Sequence, residues 1–300
     1  MEKNKALIVD IKRNSLDDGP GIRTLIFFKG CPLKCIWCHN PETKYPKQEI
    51  FFDYKLCIGC KECLKVCEEK AIEFEKRERI NRSKCKNCFK CVEVCPSGSL
   101  KIAGKSVTVE EIFEEIMKDE IFYRYSSGGV TFSGGEPTLY IEFISEVCKK
   151  LKEVKIHTNI ETNGMFDYKK FENLLLPYLD LIFFDIKFID KNLHKKYTGC
   201  ENEIILENFS KLCLNPNTPV LPRVPLIPDI TNTEENLKDI ANFLKKNSVK
   251  KLQILPYNPL WLDKAIGIGQ KILYERGKSM SKEEIEKAKN IFLEFSFEVL

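Results

Sequence analysis

The chain is expected to fold as an α/β protein, a partial (β/α)6 barrel that carries a small cysteine-rich insert, and three observations lead there. Along most of its 300 residues, short apolar runs alternate with amphipathic stretches of helical period. Between about residues 50 and 102 that rhythm stops, and the segment is rich in Lys, Glu and Cys but poor in apolar side chains. Eleven of the 14 cysteines fall into three short runs with gaps of two or three residues.

Taken in order, ALIVDI (6–11) and TLIFFKG (24–30) read as strands, and the second runs directly into the first cysteine run. After the insert, VTVEEIFEEIMKDEIFY (107–123) predicts a helix and VTFS (130–133) a strand. IEFISEVCKKL (141–151) and VKIHTNI (154–160) repeat the pair, and FENLLLPYL (171–179) leads into the strand DLIFFDIKF (180–188). The alternation closes with IILENFSKLCL (204–214), TPVLPRVPLI (218–227), EENLKDIANFLKK (234–246), KKLQILPY (250–257) and a last helix, KEEIEKAKNIFLEF (282–295). With TLIFFKG this makes about six strands, each followed by a helix. A parallel barrel and an open doubly wound sheet both fit. Six units are fewer than the eight that close a barrel, which favours an incomplete one with a gap for a large substrate. Residues 1–49 and 104–300 are assigned to the barrel and 50–103 to the insert. So little apolar content cannot hold the insert, so bound clusters must serve as its core.

Lys and Arg number 48 against 44 Asp and Glu, a net charge of +4 without any basic block, so neither nucleic acid nor a membrane is expected as a partner. The only apolar stretch near the N-terminus, residues 6–9, is far too short for a signal peptide or a span. The expected location is cytoplasmic. Thiols kept reduced there are metal ligands before they are disulfides. Zinc suits them poorly, because its structural sites use well-separated ligand pairs and the chain has only three His.

Two runs hold four cysteines each, Cys57, Cys60, Cys63, Cys67 and Cys85, Cys88, Cys91, Cys95, the latter followed by Pro96. Their C-x2-C-x2-C-x3-C spacing resembles that of the bacterial two-cluster ferredoxins, with Glu68 in place of the proline in the first copy. That resemblance implies a ferredoxin-like domain binding two [4Fe-4S] clusters, with the fourth cysteine of each run crossing to the other cluster. Cys57, Cys60, Cys63 and Cys95 would hold one, and Cys85, Cys88, Cys91 and Cys67 the other. Holding the insert together, relaying electrons and docking a partner all remain open as its role.

Cys31, Cys35 and Cys38 form the third run, C-x3-C-x2-C, which offers three thiolates to a cluster of four irons. Pro32, Lys34 and the following His39-Asn40-Pro41 do not suit three buried core cysteines. With Trp37 before its last cysteine, the run resembles the signature of the radical S-adenosylmethionine (SAM) enzymes. The resemblance implies a TIM-like partial barrel and a third [4Fe-4S] cluster whose open iron chelates the amino and carboxylate groups of SAM. One electron from that cluster would cleave SAM to methionine and a 5′-deoxyadenosyl radical.

Other motifs narrow the likeness. Ser133-Gly134-Gly135-Glu136-Pro137 follows a strand and is similar to the GGE motif that holds the SAM amino group in that family, which implies the role for Gly134, Gly135 and Glu136. Asp185 and Lys187 stand two apart on one strand, where buried charges are costly unless paired or bound. With DGPGIRT (18–24), CHNPE after the third cysteine, ETNG (161–164) and FDIK, the chain resembles the activating enzymes of glycyl radical enzymes over nearly its whole length. By that resemblance Lys187 contacts the SAM carboxylate, Glu161, Thr162 and Asp185 line the SAM pocket or an adjacent monovalent-cation site, and Asp18 meets the backbone of a substrate's glycine loop. The substrate would be a partner glycyl radical enzyme, and the electron donor reduced flavodoxin or ferredoxin. Leu255-Pro256-Tyr257-Asn258 departs from the pyruvate formate-lyase activating enzyme, which has His at the last position, and Asn258 is expected as a SAM contact.

His194 and Arg223 read as structural or surface residues, Cys148 and Cys213 as small core residues of helices, and Cys200 fits no cluster spacing. Two rival functions remain. One is a radical SAM enzyme acting on a small molecule or another peptide. The other is a multi-cluster electron carrier, which would have no use for an open iron or so long a barrel.

Overall fold

A computed structural model describes residues 4–300. Strand β1 (Lys5–Ser15) pairs antiparallel with β2 (Arg23–Phe28), from which the chain enters the first cysteine loop. The insert follows as β3 (Glu49–Phe52), the short helices α1 (Glu62–Lys65) and α2 (Lys90–Glu93), and β4 (Leu100–Ala103), with β3 and β4 forming a separate two-stranded sheet. Strand β5 (Lys105–Thr108) returns to the free side of β1. From α3 (Val109–Met117) and α4 (Glu120–Ser126) the alternation runs through β6 (Gly129–Gly134), α5 (Ile141–Glu153), β7 (His157–Thr162), α6 (Tyr168–Leu174) and β8 (Leu181–Asp185). It continues through α7 (Lys191–Thr198), α8 (Glu203–Cys213), β9 (Val220–Leu226), α9 (Glu234–Lys246) and β10 (Lys251–Pro256). The last elements are α10 (Trp261–Gly267), α11 (Lys282–Glu294) and β11 (Glu298–Val299).

The large sheet has the order β11-β10-β9-β8-β7-β6-β2-β1-β5. From β2 to β11 each new strand adds parallel to its predecessor on the same side, so the strand order never reverses. A doubly wound sheet requires such a reversal, and its absence leaves the barrel segment. The outermost strands β5 and β11 do not pair with each other, so the barrel stays open. The six expected strands are β2 and β6–β10, and β1, β5 and β11 widen the sheet beyond them.

Strand parity separates two faces, as the two-residue period of a strand requires. Ile26, Phe28, Val130, Phe132, Ile160, Ile182, Phe184 and Val224 are fully buried and belong to the core formed with the helices. Their odd-numbered neighbours point to the concave side. In the parallel ladder that side is aligned strand by strand, with Asp185 opposite Arg223 and Arg223 opposite Gln253.

The expected single helix over 107–123 is three elements. Val107 and Thr108 end β5, and Thr108 starts α3 with a capping box in which its hydroxyl and the Glu111 carboxylate exchange bonds with each other's backbone. A break at Asp119 separates α3 from α4, and there the Asp119 carboxylate accepts from Thr24 Oγ1 at 2.7 Å and pairs with Arg13. Tying β2 to the helical layer outweighs continuing one helix.

The insert has a small core of its own, Ile50, Phe52, Ile72, Ile80, Cys91 and Leu100. Its internal repeat survives in the backbone: Lys61 and Phe89, each one residue after the second cysteine of its run, take the left-handed conformation with φ of 64° and 63°. Asp263 of α10 moors the insert to the barrel, accepting from Lys55 Nζ at 2.6 Å and Arg77 Nη2 at 3.2 Å. Arg82 reinforces the mooring, with Nη2 donating to Ile50 O at 2.6 Å and Gly267 O at 3.3 Å.

Candidate functional site

The carboxyl ends of the barrel strands surround a cavity of about 370 Å³, within the range of small-molecule sites. Leu25 and Phe27 of β2, Ser133 of β6, Glu161 of β7, Asp185 of β8, Arg223 and Pro225 of β9 and Leu255 of β10 line it, all from the concave parity. The cysteine loop closes one side with Cys31, Cys35, Trp37, Cys38 and His39, and Asp18 comes from the β1–β2 turn. No fourth cysteine lines it among the described residues.

Backbone bonds stitch the cysteine loop in place. Gly30 N donates to Thr43 O at 2.6 Å and Cys31 N to Lys44 O at 3.1 Å, while Lys34 N donates to Thr198 O at 2.6 Å and Ile36 N to Tyr197 O at 3.2 Å. Cys200 helps from the end of α7, its thiol donating to Pro32 O at 3.4 Å. Burial raises the pKa of all three loop thiols, Cys35 to about 11, so a positive partner is needed to hold them as thiolates. Asn163 Nδ2 supplies Cys31 Sγ with a donor at 3.5 Å. Trp37 is 4 % exposed, and beside lining the cavity it packs its ring against Phe188 and Tyr197.

Across from the thiols lie two ion pairs. Lys187 Nζ donates to Asp185 Oδ2 at 2.9 Å. Burial opposes the Lys187 charge, but Asp185 and then the Cys35 thiolate outweigh it, and its pKa rises above the ordinary value. Arg223 Nη1 donates to Glu161 Oε1, and Ser133 Oγ to Glu161 Oε2. Burial pushes the Glu161 carboxyl up while Arg223 pulls it down. Arg223 also stacks over Phe183, 4.8 Å from the ring centre, and its Nε is buried without a partner. His39 Nε2 is likewise buried and unpartnered at the cavity wall. Unpaired donors and acceptors at a cavity's edge call for a polar ligand.

Asp18, Gly134, Gly135, Glu161, Thr162, Asp185 and Lys187 all reach this cavity, but Glu136 and Asn258 do not. Glu136 is fully buried behind the wall, where its carboxylate accepts from Thr138 N at 3.1 Å, Thr138 Oγ1 at 2.7 Å, Thr162 Oγ1 at 2.8 Å and Asn163 N at 2.8 Å. The bonds to Thr162 and Asn163 tie it to the 161–164 loop. Asn258 lies past the end of β10, where its Oδ1 accepts from Leu260 N at 3.2 Å in the turn that leads to α10. The glycine pair answers first to packing: a Cβ on Gly134 would lie 2.3 Å from Phe28 N, and one on Gly135 would lie 2.2 Å from Gly30 O. Of the surface and structural alternatives read from sequence for Arg223, the surface one falls, because its side chain is buried in the cavity wall and paired with Glu161. Its parity with Pro225 and its ladder position beside Asp185 were the available signals. His194 is structural as read, with Nδ1 at 2.6 Å from Cys200 O, and Cys148 is wholly buried in α5.

The insert gathers its eight thiols into two further cavities. Cys57, Cys60, Cys63 and Cys95 line one, and Cys67, Cys85, Cys88 and Cys91 the other, so each takes its fourth thiol from the opposite run. Backbone donors reach the sulfurs, Ala71 N to Cys67 at 3.2 Å, Asn87 N to Cys85 at 3.4 Å and Leu100 N to Cys95 at 3.5 Å. Among the described residues no three His, Cys, Asp or Glu converge on a single metal ion. Four thiols spread around a cavity, with N–H groups aimed at sulfur, fit an iron–sulfur cube.

Comparison with known proteins gives a consistent picture. Residues 25–244 match the Radical SAM superfamily. The chain is 38% identical over 298 residues to the 4-hydroxyphenylacetate decarboxylase activating enzyme of Clostridioides difficile (strain CD196), covering 97% of this chain and 94% of that one. It is 39% identical over 273 residues to the (2S)-3-sulfopropanediol dehydratase activating enzyme of Klebsiella oxytoca, covering 88% and 85%. A radical SAM methyltransferase from Sphaerobacter thermophilus shares the fold, with a TM-score of 0.56 at 12% identity over 98% of this chain and 76% of that one.

Proposed function

Because the chain belongs to the radical SAM superfamily and, within it, to the activating enzymes of glycyl radical enzymes, we propose that the cavity ringed by Cys31, Cys35 and Cys38 is where SAM is held and cut. Membership brings SAM and a [4Fe-4S] cluster with it. When bound, the cluster supplies the electron that splits SAM into methionine and a 5′-deoxyadenosyl radical, which takes a hydrogen atom from a backbone glycine of the partner. One observation carries the reading: three thiols without a fourth open on the same cavity as two buried ion pairs, while the two four-thiol sets lie elsewhere.

Each side chain then has a task. Lys187, held charged by Asp185, meets the SAM carboxylate, while Glu161 and the backbone at Gly134 and Gly135 face its amino group. Asp185, Glu161 and Thr162 offer oxygens to a monovalent cation beside it. Asp18 is positioned for the incoming glycine loop. Its main-chain oxygen accepts from Thr131 Oγ1 at 2.8 Å and Asn159 Nδ2 at 3.1 Å, so the turn is pinned to the barrel, and its carboxylate, which accepts from Ser15 Oγ, lines the cavity. Leu25, Phe27, Leu33 and Ile227 keep water from the place where the radical acts.

The two four-thiol cavities hold further [4Fe-4S] clusters, three in all, and reduced flavodoxin or ferredoxin supplies the electron. Among the described residues no helix is long and apolar enough to cross a membrane, and fourteen free thiols suit a reducing cytoplasm. Relatives of near-equal similarity are named for different partners, so the proposal names a class of partner.

The test is paramagnetic resonance of the reduced, iron-loaded protein mixed with SAM and a glycyl radical enzyme from the same organism. A glycyl doublet formed together with 5′-deoxyadenosine is expected. SAM cleavage without that doublet in any such mixture would instead favour a small molecule or another peptide as substrate.

A further inference from the structure

The two four-thiol cavities of the insert come from a sequence repeat, yet apart from the thiols their walls are lined by different side chains. The cavity of Cys57, Cys60, Cys63 and Cys95 is also lined by Arg79, and the cavity of Cys67, Cys85, Cys88 and Cys91 contains no arginine. In the second, the charged residues are Glu68, Glu69, Lys86 and Lys90, which pair with one another as Lys90–Glu68 and Lys86–Glu69 at the surface.

Arg79 is held with unusual care. Its guanidinium lies between two aromatic faces, 4.0 Å from the centre of Phe74 and 4.7 Å from that of Phe52. Nη1 donates to Phe74 O, and Nη2 reaches Cys57 Sγ at 3.8 Å. Its Nε is buried and has no partner. The backbone there is costly as well: Arg79 has φ of 58°, a conformation in which glycine or asparagine is at ease and a long side chain is strained. It closes the turn of the 72–80 hairpin, with Glu73 N donating to Arg79 O at 2.8 Å. The strained backbone, the two stacked rings and the Phe74 carbonyl hold the guanidinium so that Nη2 faces Cys57.

We infer that Arg79 is a positioning residue for the cluster of Cys57, Cys60, Cys63 and Cys95, donating to Cys57 and raising that cluster's reduction potential. The inference rests on the reading that the insert holds two such clusters. A fixed positive charge and extra hydrogen bonds to sulfur favour the reduced, more negative state of a cluster. Backbone donors do not separate the two sites, since Leu100 N serves Cys95 while Ala71 N and Asn87 N serve Cys67 and Cys85. Arg79 does.

The experiment is a potentiometric titration followed by paramagnetic resonance on the full chain with Cys31, Cys35 and Cys38 changed to Ala, so that only the insert clusters report. Iron and sulfide content comes first. About eight irons per chain are expected, and about four or fewer would sink the two-cluster reading itself without any reference to Arg79.

In Arg79→Gln, one of the two couples should fall by at least the equivalent of a tenfold change in its reduced-to-oxidised ratio, about 59 mV for one electron, and the other should stay in place. Arg79→Lys, which keeps the charge but loses the planar fork, should fall by less. Full iron content with neither couple moved, or both moved together, would overturn the inference. If Arg79→Gln does not retain iron, the same titration on Arg79→Lys decides. An unmoved couple there, or loss of iron from both variants, would make Arg79 a folding residue and nothing more.

Discussion

In the barrel, residues such as Ile26, Phe28, Phe132, Ile160 and Phe184 are wholly buried in one continuous apolar core, whereas the insert's own core cluster is Ile50, Phe52, Ile72, Ile80, Cys91 and Leu100. Ordering a backbone costs about 1–2 kcal/mol per residue. So small a core cannot offset that for residues 50–103, so the insert relies on whatever its eight thiols bind. The same contrast holds for function. On the proposed reading, the barrel can keep a site with one thiolate too few because its own core holds the fold, while the insert would leave no position open because ligation would be its structure.

Removing iron should separate the two regions most widely. On chelation of the reduced protein, backbone amides between 50 and 103 should lose hydrogen-exchange protection by orders of magnitude, while those of β6–β10 change by less than about tenfold. Equal loss in both would break the contrast, since it would mean that the barrel also needs its cluster to fold.

A second test sharpens what holds the barrel's polar face. Arg223→Met removes the partner of Glu161 and leaves a buried carboxylate unpaired, at an expected cost of about 3 kcal/mol in urea unfolding. Adding Glu161→Gln should recover a good part of it, because no uncompensated charge remains. A double variant as weak as the sum of the singles would show that the pair is not coupled.

Much of this contrast could be read from the chain. The strand–helix alternation and the break in it near residue 50 gave the fold, since apolar periodicity records burial directly. Cys31, Asp185 and Lys187 could be nominated because spaced thiols and buried charges need partners, and Glu161 through its motif's resemblance to the family. Arg223 could not, because a lone arginine between Pro222 and Pro225 looks like loop surface until the ladder sets it opposite Asp185. Glu136 lies behind the cavity wall for a related reason. Its motif is real, but its four hydrogen-bond donors come from Thr138, Thr162 and Asn163, and two of those residues lie on another strand end. Asn258 does not line the cavity because it sits past the end of β10, in the turn to α10, where it accepts from Leu260 N. The division of 107–123 at Asp119 depends on Thr24 and Arg13, both more than ninety residues away.

The smallest expected effect belongs to His157 at the start of β7, whose Nδ1 lies 3.3 Å from Arg23 Nη2. Burial, and then Arg23, pull its pKa down to about 4. An unfolded chain binds that proton near pH 6.5, so the stability is present above about pH 6.5 and is lost as the pH falls toward 4. In His157→Gln the melting temperature of the barrel should decline less between pH 7 and pH 5 than in the unaltered protein. Parallel declines would mean that other groups carry the acid sensitivity.

The central claim is that the three-thiol site of the barrel, and neither four-thiol site of the insert, presents an open iron to SAM. Electron–nuclear double resonance on the reduced protein, with SAM labelled by nitrogen-15 in its amino group, tests it most directly. A nitrogen coupling to a cluster is predicted in the intact chain, and it should vanish when Cys31, Cys35 and Cys38 are changed to Ala although the insert clusters still reduce. A coupling that survives those substitutions, or none in the intact protein with all clusters reduced, would contradict the account.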